Sequence, residues 1–79
     1  MQWHGRKVTV MGLGRHGGAI GAVRFLAERG AQVTVTDTAD EASLHDSLTQ
    51  LKDFPQVRYK LGGHDKTAFC SSEILVVNP

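Results

Sequence analysis

Between Lys7 and Asp37 the hydrophobic pattern changes its period twice. Lys7-Val8-Thr9-Val10-Met11 is a short run rich in β-branched residues, which predicts a strand, and it stops where Gly12-Leu13-Gly14-Arg15-His16-Gly17-Gly18 begins. Ala19, Ala22, Val23, Leu26 and Ala27 then recur on one helical face with Ile20 beside them, so a helix is expected from about His16 to Arg29. Gly30 is placed to cap it in the left-handed conformation. Gln32 to Thr36 alternates again and predicts a second strand, joined to the first by a right-handed parallel crossover. Gly21 interrupts the helix, where glycine costs about 1 kcal/mol against alanine. Either close packing requires it or stability is lost there.

Beyond Asp37 the pattern predicts more of the same architecture. Thr38-Ala39-Asp40-Glu41 has the spacing of a capping box, and Leu44, Leu48 and Leu51 carry a second helix to about Lys52, before Pro55. Val57-Arg58-Tyr59-Lys60-Leu61 alternates apolar and basic residues, as a strand near a sheet edge does, and Gly62-Gly63 ends it. A helical turn is expected from Asp65 to Phe69, and Ile74-Leu75-Val76-Val77 reads as a last, buried strand. Trp3, in the polar lead-in, is expected against the sheet edge. The order of elements predicts an α/β, Rossmann-like three-layer domain over residues 1–79, with a mainly parallel sheet of about four strands and helices on both faces. Asn78-Pro79 follows a strand at the point where such folds place ligand contacts, so a longer protein is expected around this stretch.

Composition narrows the class of partner. Nine Lys and Arg against eight Asp and Glu leave a formal charge of +1, which provides no general field for nucleic acid or an anionic membrane. One cysteine, Cys70, forms no internal disulfide and is read as structural, and no Cys/His spacing suits zinc. With no apolar leader and no run near the roughly 20 residues that cross a bilayer, a soluble cytoplasmic domain is expected.

The glycine turn carries the candidate chemistry. A strand before it, a helix after it and Asp37 twenty positions past Gly17 make the layout of a nucleotide-binding βαβ unit. Gly12 would make the sharp turn, Gly14 would let a phosphate approach the backbone, and Gly17 would let helix and strand pack closely. The helix start favours an anion by about 0.3–1 kcal/mol, and a diphosphate is the natural guest. Asp37 could accept hydrogen bonds from a ribose or a base N–H; its plainer role is a negative charge before the second helix. Thr38 could cap, contact a ligand, or do both. Arg15 could reach a phosphate or lie solvated, and His16 could contact ligand or stand neutral at the helix start. No catalytic set and no metal set is arguable.

Val10-Met11-Gly12-Leu13-Gly14-Arg15-His16-Gly17-Gly18, Val35-Thr36-Asp37-Thr38, Leu61-Gly62-Gly63-His64 and Val76-Val77-Asn78-Pro79 together resemble the N-terminal domain of the Mur ligases, most of all the type that adds D-glutamate. The resemblance runs from about Gly5 to Pro79. It implies a domain that holds the uridine diphosphate part of UDP-N-acetylmuramoyl-L-alanine, with no cofactor of its own; ATP and magnesium would belong to a central domain, and a third domain would follow. It further implies that Gly14, Arg15, His16 and Gly17 lie at the diphosphate, that Asp37 and Thr38 lie near the uracil, and that Asn78 opens a further substrate-facing loop. Two positions depart from the family pattern: His16 stands where a small or hydroxyl residue is frequent, and Ala39 where a basic residue is frequent. Two other readings of the glycine turn are an NAD-binding half of a dehydrogenase and an AMP- or NAD-sensing module of the potassium-transport type.

Overall fold

A computed structural model of the chain describes residues 2–14, 18–63 and 72–77. The strands are β1 (Lys7–Met11), β2 (Gln32–Asp37), β3 (Arg58–Leu61) and β4 (Ile74–Val77), and the helices are α1 (Ile20–Glu28) and α2 (His45–Gln50). All strand pairs are parallel, in the order β3-β2-β1-β4. This is the α/β, Rossmann-like arrangement that the alternation of strand and helix patterns predicts.

The register explains which face is covered. Val8 pairs with Val33 and Ile74, and Val10 with Val35 and Val76, so one face of the sheet is apolar from edge to edge. On the other face Thr9, Thr34, Arg58 and Leu75 share a row, as do Met11, Thr36, Lys60 and Val77. Ile20, Val23, Leu26 and Ala27 of α1 join Val8, Val10, Val33 and Val35 in one core, which also takes Leu51 and Val57. Each such Val, Leu or Ile contributes about 1.5–3 kcal/mol when fully buried. Both helices cover the same face, because β1 to β2 and β2 to β3 step the same way across the sheet and right-handed crossovers then emerge on one side. The step from β3 back to β4 runs the opposite way, and its residues 64–71, with His64, the Asp65–Phe69 turn and Cys70, lie outside the described ones. The expected helical cover of the second face rests on those residues.

Several elements differ from expectation. Among the described residues β4 pairs with β1 and is half-covered rather than buried, with Leu75 and Val77 exposed at 49% and 60%. Four apolar residues in a row describe a strand equally well at an edge or in the middle, and only pairing decides between them. The Thr38 capping box does not form. α2 opens later, with Leu44 at its N-cap and no side-chain cap bond, while the Asp40 Oδ1 accepts from the Ser43 N–H at 2.8 Å within the tight turns of residues 41–44. Trp3 packs on the core and also stands edge-on to Phe25 of α1, with ring centroids 6.2 Å apart. The Arg29 guanidinium covers the Phe25 ring at 3.6 Å from its centroid. A surface aromatic and a cation on the outer side of α1 thus seat the N-terminal segment.

Gly21 is exposed, and a Cβ added there meets nothing within 4 Å. The packing explanation for this glycine therefore fails, and the helix carries its entropic cost. Gly21→Ala is expected to raise unfolding stability by about 0.5–1 kcal/mol in a urea titration, and a destabilised variant would contradict the open surroundings seen here.

Candidate nucleotide site

The site lies at the carboxyl ends of β1 and β2, where open parallel sheets bind ligands. As β1 ends, Gly12 and Gly14 adopt φ of 92° and 85°, a region that side chains with a Cβ rarely enter. These two positive angles turn the chain away from the strand and let the N–H groups of Gly12, Leu13 and Gly14 each find a fixed partner. The Gly12 N–H donates to the Thr36 carbonyl at 2.7 Å, which keeps the turn beside β2 for one step beyond the ladder. Ala19 N–H donates to the Leu13 carbonyl at 3.1 Å, tying the turn to the start of α1. Leu13 itself is fully buried and anchors the turn in the core.

Asp37 is the centre of this arrangement. Its Oδ2 accepts from the Leu13 N–H at 2.9 Å and from the Gly14 N–H at 3.3 Å, while Oδ1 accepts from the Ala39 N–H at 2.9 Å. One carboxylate at the end of β2 thereby clamps the glycine turn after β1 to the bend that follows β2. Charge-assisted bonds of this kind are about twice as strong as neutral ones. The bend is braced from behind: Gly62 N–H donates to the Ala39 carbonyl and Gly63 N–H to the Asp37 carbonyl, each at 3.0 Å. Gly62, with φ of 82°, lets the chain leaving β3 fold back to make both bonds. The Gly62-Gly63 pair thus supports the site rather than merely ending a strand.

Of the residues that the sequence nominates, the structure brings together Gly14 and Asp37, with Thr38 exposed next to them. Arg15, His16, Gly17 and Asn78 lie outside the described residues. The Gly14 N–H faces Asp37, so in this conformation it is directed at a carboxylate rather than at an open phosphate position.

Ser47 was not foreseen. It is buried in α2 and its Oγ donates to the Gly14 carbonyl at 3.1 Å. The clue was available in the sequence: Ser47 falls on the same helical stripe as Leu44, Leu48 and Leu51, and a hydroxyl in an apolar stripe must find a partner.

Cavities on two sides of the sheet bear on the site. The larger, about 590 Å³, lies at the amino ends of the strands beside Lys7, Gln32 and Arg58, away from the glycine turn. The smaller, about 520 Å³, opens between α2 and β3 and is lined by Asp40, Glu41, Leu48, Tyr59 and Leu61. Its lining includes Asp40 and Glu41, which follow the bend after Asp37, but none of the residues that the sequence nominates. Burial raises the Tyr59 hydroxyl pKa above its ordinary value, so the ring in this cavity presents a neutral phenol below that value.

A family model for the Mur ligase MurD-like N-terminal domain matches residues 6–79. The chain belongs to this family. Among curated relatives of the MurD-like domain, the UDP-N-acetylmuramoylalanine–D-glutamate ligases of Geotalea daltonii and of a Roseiflexus species are each 48% identical over the whole chain, which covers 17% of their length. The enzyme of the same name from Treponema pallidum is 43% identical over 95% of the chain and 14% of its own length. The chain therefore spans about a sixth of the ligases it matches, within their MurD-like N-terminal domain. No helix among the described residues is long and apolar enough to cross a membrane.

Proposed function

We propose that this chain is the domain of an ATP-dependent D-glutamate-adding ligase that holds the uridine diphosphate end of UDP-N-acetylmuramoyl-L-alanine, a step of peptidoglycan and hence cell-wall synthesis in the cytoplasm. The observation that carries the reading is the Asp37 clamp, which joins the glycine turn and the β2 bend into one rigid concave edge in a chain of the MurD-like family. In this reading the turn from Gly14 through Arg15, His16 and Gly17 lies along the diphosphate, Asp37 and Thr38 border the uracil, and Asn78 opens a further substrate-facing loop. The central domain that the family reading implies would bring ATP and magnesium, which would activate the substrate carboxylate as an acyl phosphate for attack by the D-glutamate amine. The present residues supply binding and orientation, and no ligation is expected from them alone.

An amide NMR titration of the labelled chain with UDP, and in parallel with NAD and AMP, tests the reading. Shifts at Leu13, Gly14, Thr38 and Ala39 are expected with UDP first, at an affinity near millimolar, about 4–5 kcal/mol, because one domain holds only part of the substrate. Stronger shifts with NAD or AMP would favour a dehydrogenase half or a nucleotide sensor and overturn the proposal.

A further inference from the structure

Gly14 is held at both ends. Its N–H goes to Asp37 and its carbonyl to the Ser47 hydroxyl, the first from β2 and the second from α2. Because a peptide unit is planar, a donor fixed at the Gly14 carbonyl restrains the orientation of the unit to which that carbonyl belongs. Glycine is the residue least able to hold such an orientation unaided. The holding group must come from elsewhere, and Ser47 supplies it.

The burial of Ser47 points the same way. It is 1% exposed and stands among Leu44, Leu48 and Leu51, where an alanine would suit the apolar surroundings. A buried hydroxyl there has a cost unless its bond is made, and that bond reaches 33 residues back to the turn rather than into α2 itself. A hydroxyl that served the helix alone would bond a carbonyl one turn earlier, as exposed Thr49 does with His45.

We infer that Ser47 is a positioning residue of the nucleotide site, acting through the Gly14 carbonyl, so that the seating of α2 sets the pose of Gly14 for a diphosphate. The inference rests on the uridine diphosphate reading for its ligand and on the Ser47–Gly14 bond for its mechanism. It makes α2, which contributes none of the residues expected to touch the nucleotide, a determinant of nucleotide affinity.

The test uses UDP as probe and three variants of the chain, Ser47→Ala, Ser47→Cys and Leu51→Val. Leu51 is buried on the same helical stripe and makes no bond to the turn, so its truncation loosens α2 packing without touching Gly14. Ser47→Ala is expected to weaken UDP binding about fivefold or more, with Ser47→Cys, a weaker donor of similar shape, in between, while Leu51→Val stays within about twofold of the parent. Equal weakening by Leu51→Val and Ser47→Ala at matched urea stability would reduce Ser47 to packing and overturn the inference. Amide hydrogen exchange on the free chain is measured beside it. Leu13 and Gly14 should exchange about fivefold faster in Ser47→Ala relative to Val10 and Val35, and unchanged ratios would also overturn it. If the parent shows no response to UDP, the nucleotide reading fails, and the exchange ratios alone decide whether Ser47 sets the turn.

Discussion

Asp37→Ala is expected to lower unfolding stability by about 2–4 kcal/mol in the absence of any ligand. The substitution leaves three backbone N–H groups without their acceptor, those of Leu13, Gly14 and Ala39. They do not count equally. Leu13 is fully buried, so its N–H cannot turn to water, whereas Gly14 and Ala39 are half-buried and can be partly rehydrated. The estimate is therefore one full penalty and two partial ones rather than three. A domain of 79 residues has about 4–12 kcal/mol in all, so the loss is a large fraction of the total. Asp37→Asn keeps one acceptor oxygen but sets an NH₂ against a donor, and should fall between the parent and alanine. Urea unfolding followed by circular dichroism measures both. An alanine variant within about 0.5 kcal/mol of the parent would mean that the carboxylate serves ligand alone.

The second large effect is expected at Gly30. It ends α1 with φ of 82°, and the Gly30 N–H donates to the Ala27 carbonyl at 3.0 Å while the Ala31 N–H donates to the Leu26 carbonyl at 3.1 Å. This paired closure, with Leu26 and Ala31 both buried beneath it, is the Schellman arrangement that returns the chain into β2. Alanine at Gly30 pays for its Cβ in two ways. The left-handed angle costs about 1–2 kcal/mol, and the new methyl would collide with the His4 imidazole. The angle should dominate, because His4 is exposed and its ring can swing away. Gly30→Ala is thus expected to lose about 1–2 kcal/mol, and adding His4→Ala should restore only a minor part of it. Nearly full restoration in the double-mutant cycle would show instead that the His4 contact, and not the backbone angle, governs this cap.

Legibility varied with how local the cause was. The strand over Lys7–Met11 appears as expected, because β-branched residues and the glycines after them act within a few positions. α1 begins at Ile20 rather than His16 among the described residues, since an apolar stripe marks where a helix is buried better than where it starts. The capping box failed for a related reason. Thr38 and Glu41 have the right spacing, but α2 starts only at His45 with Leu44 at its N-cap, so both lie ahead of the helix in a stretch that Asp37 and Asp40 shape through the Ala39 and Ser43 N–H groups.

The sequence by itself determined the alternation of strand and helix, the parallel sheet, the glycine turn, the cap at Gly30 and the family. Each follows from residue type over a short span, where steric limits and hydrophobic period leave few choices. Only the tertiary structure decided that β4 pairs with β1, that Asp37 turns back to clamp Leu13 and Gly14, and that Ser47 reaches the same turn from α2. The last two are contacts between positions 23 to 33 residues apart in the chain. A hydrogen bond acts over about 3 Å, so no local pattern specifies it until the packed sheet brings its partners together.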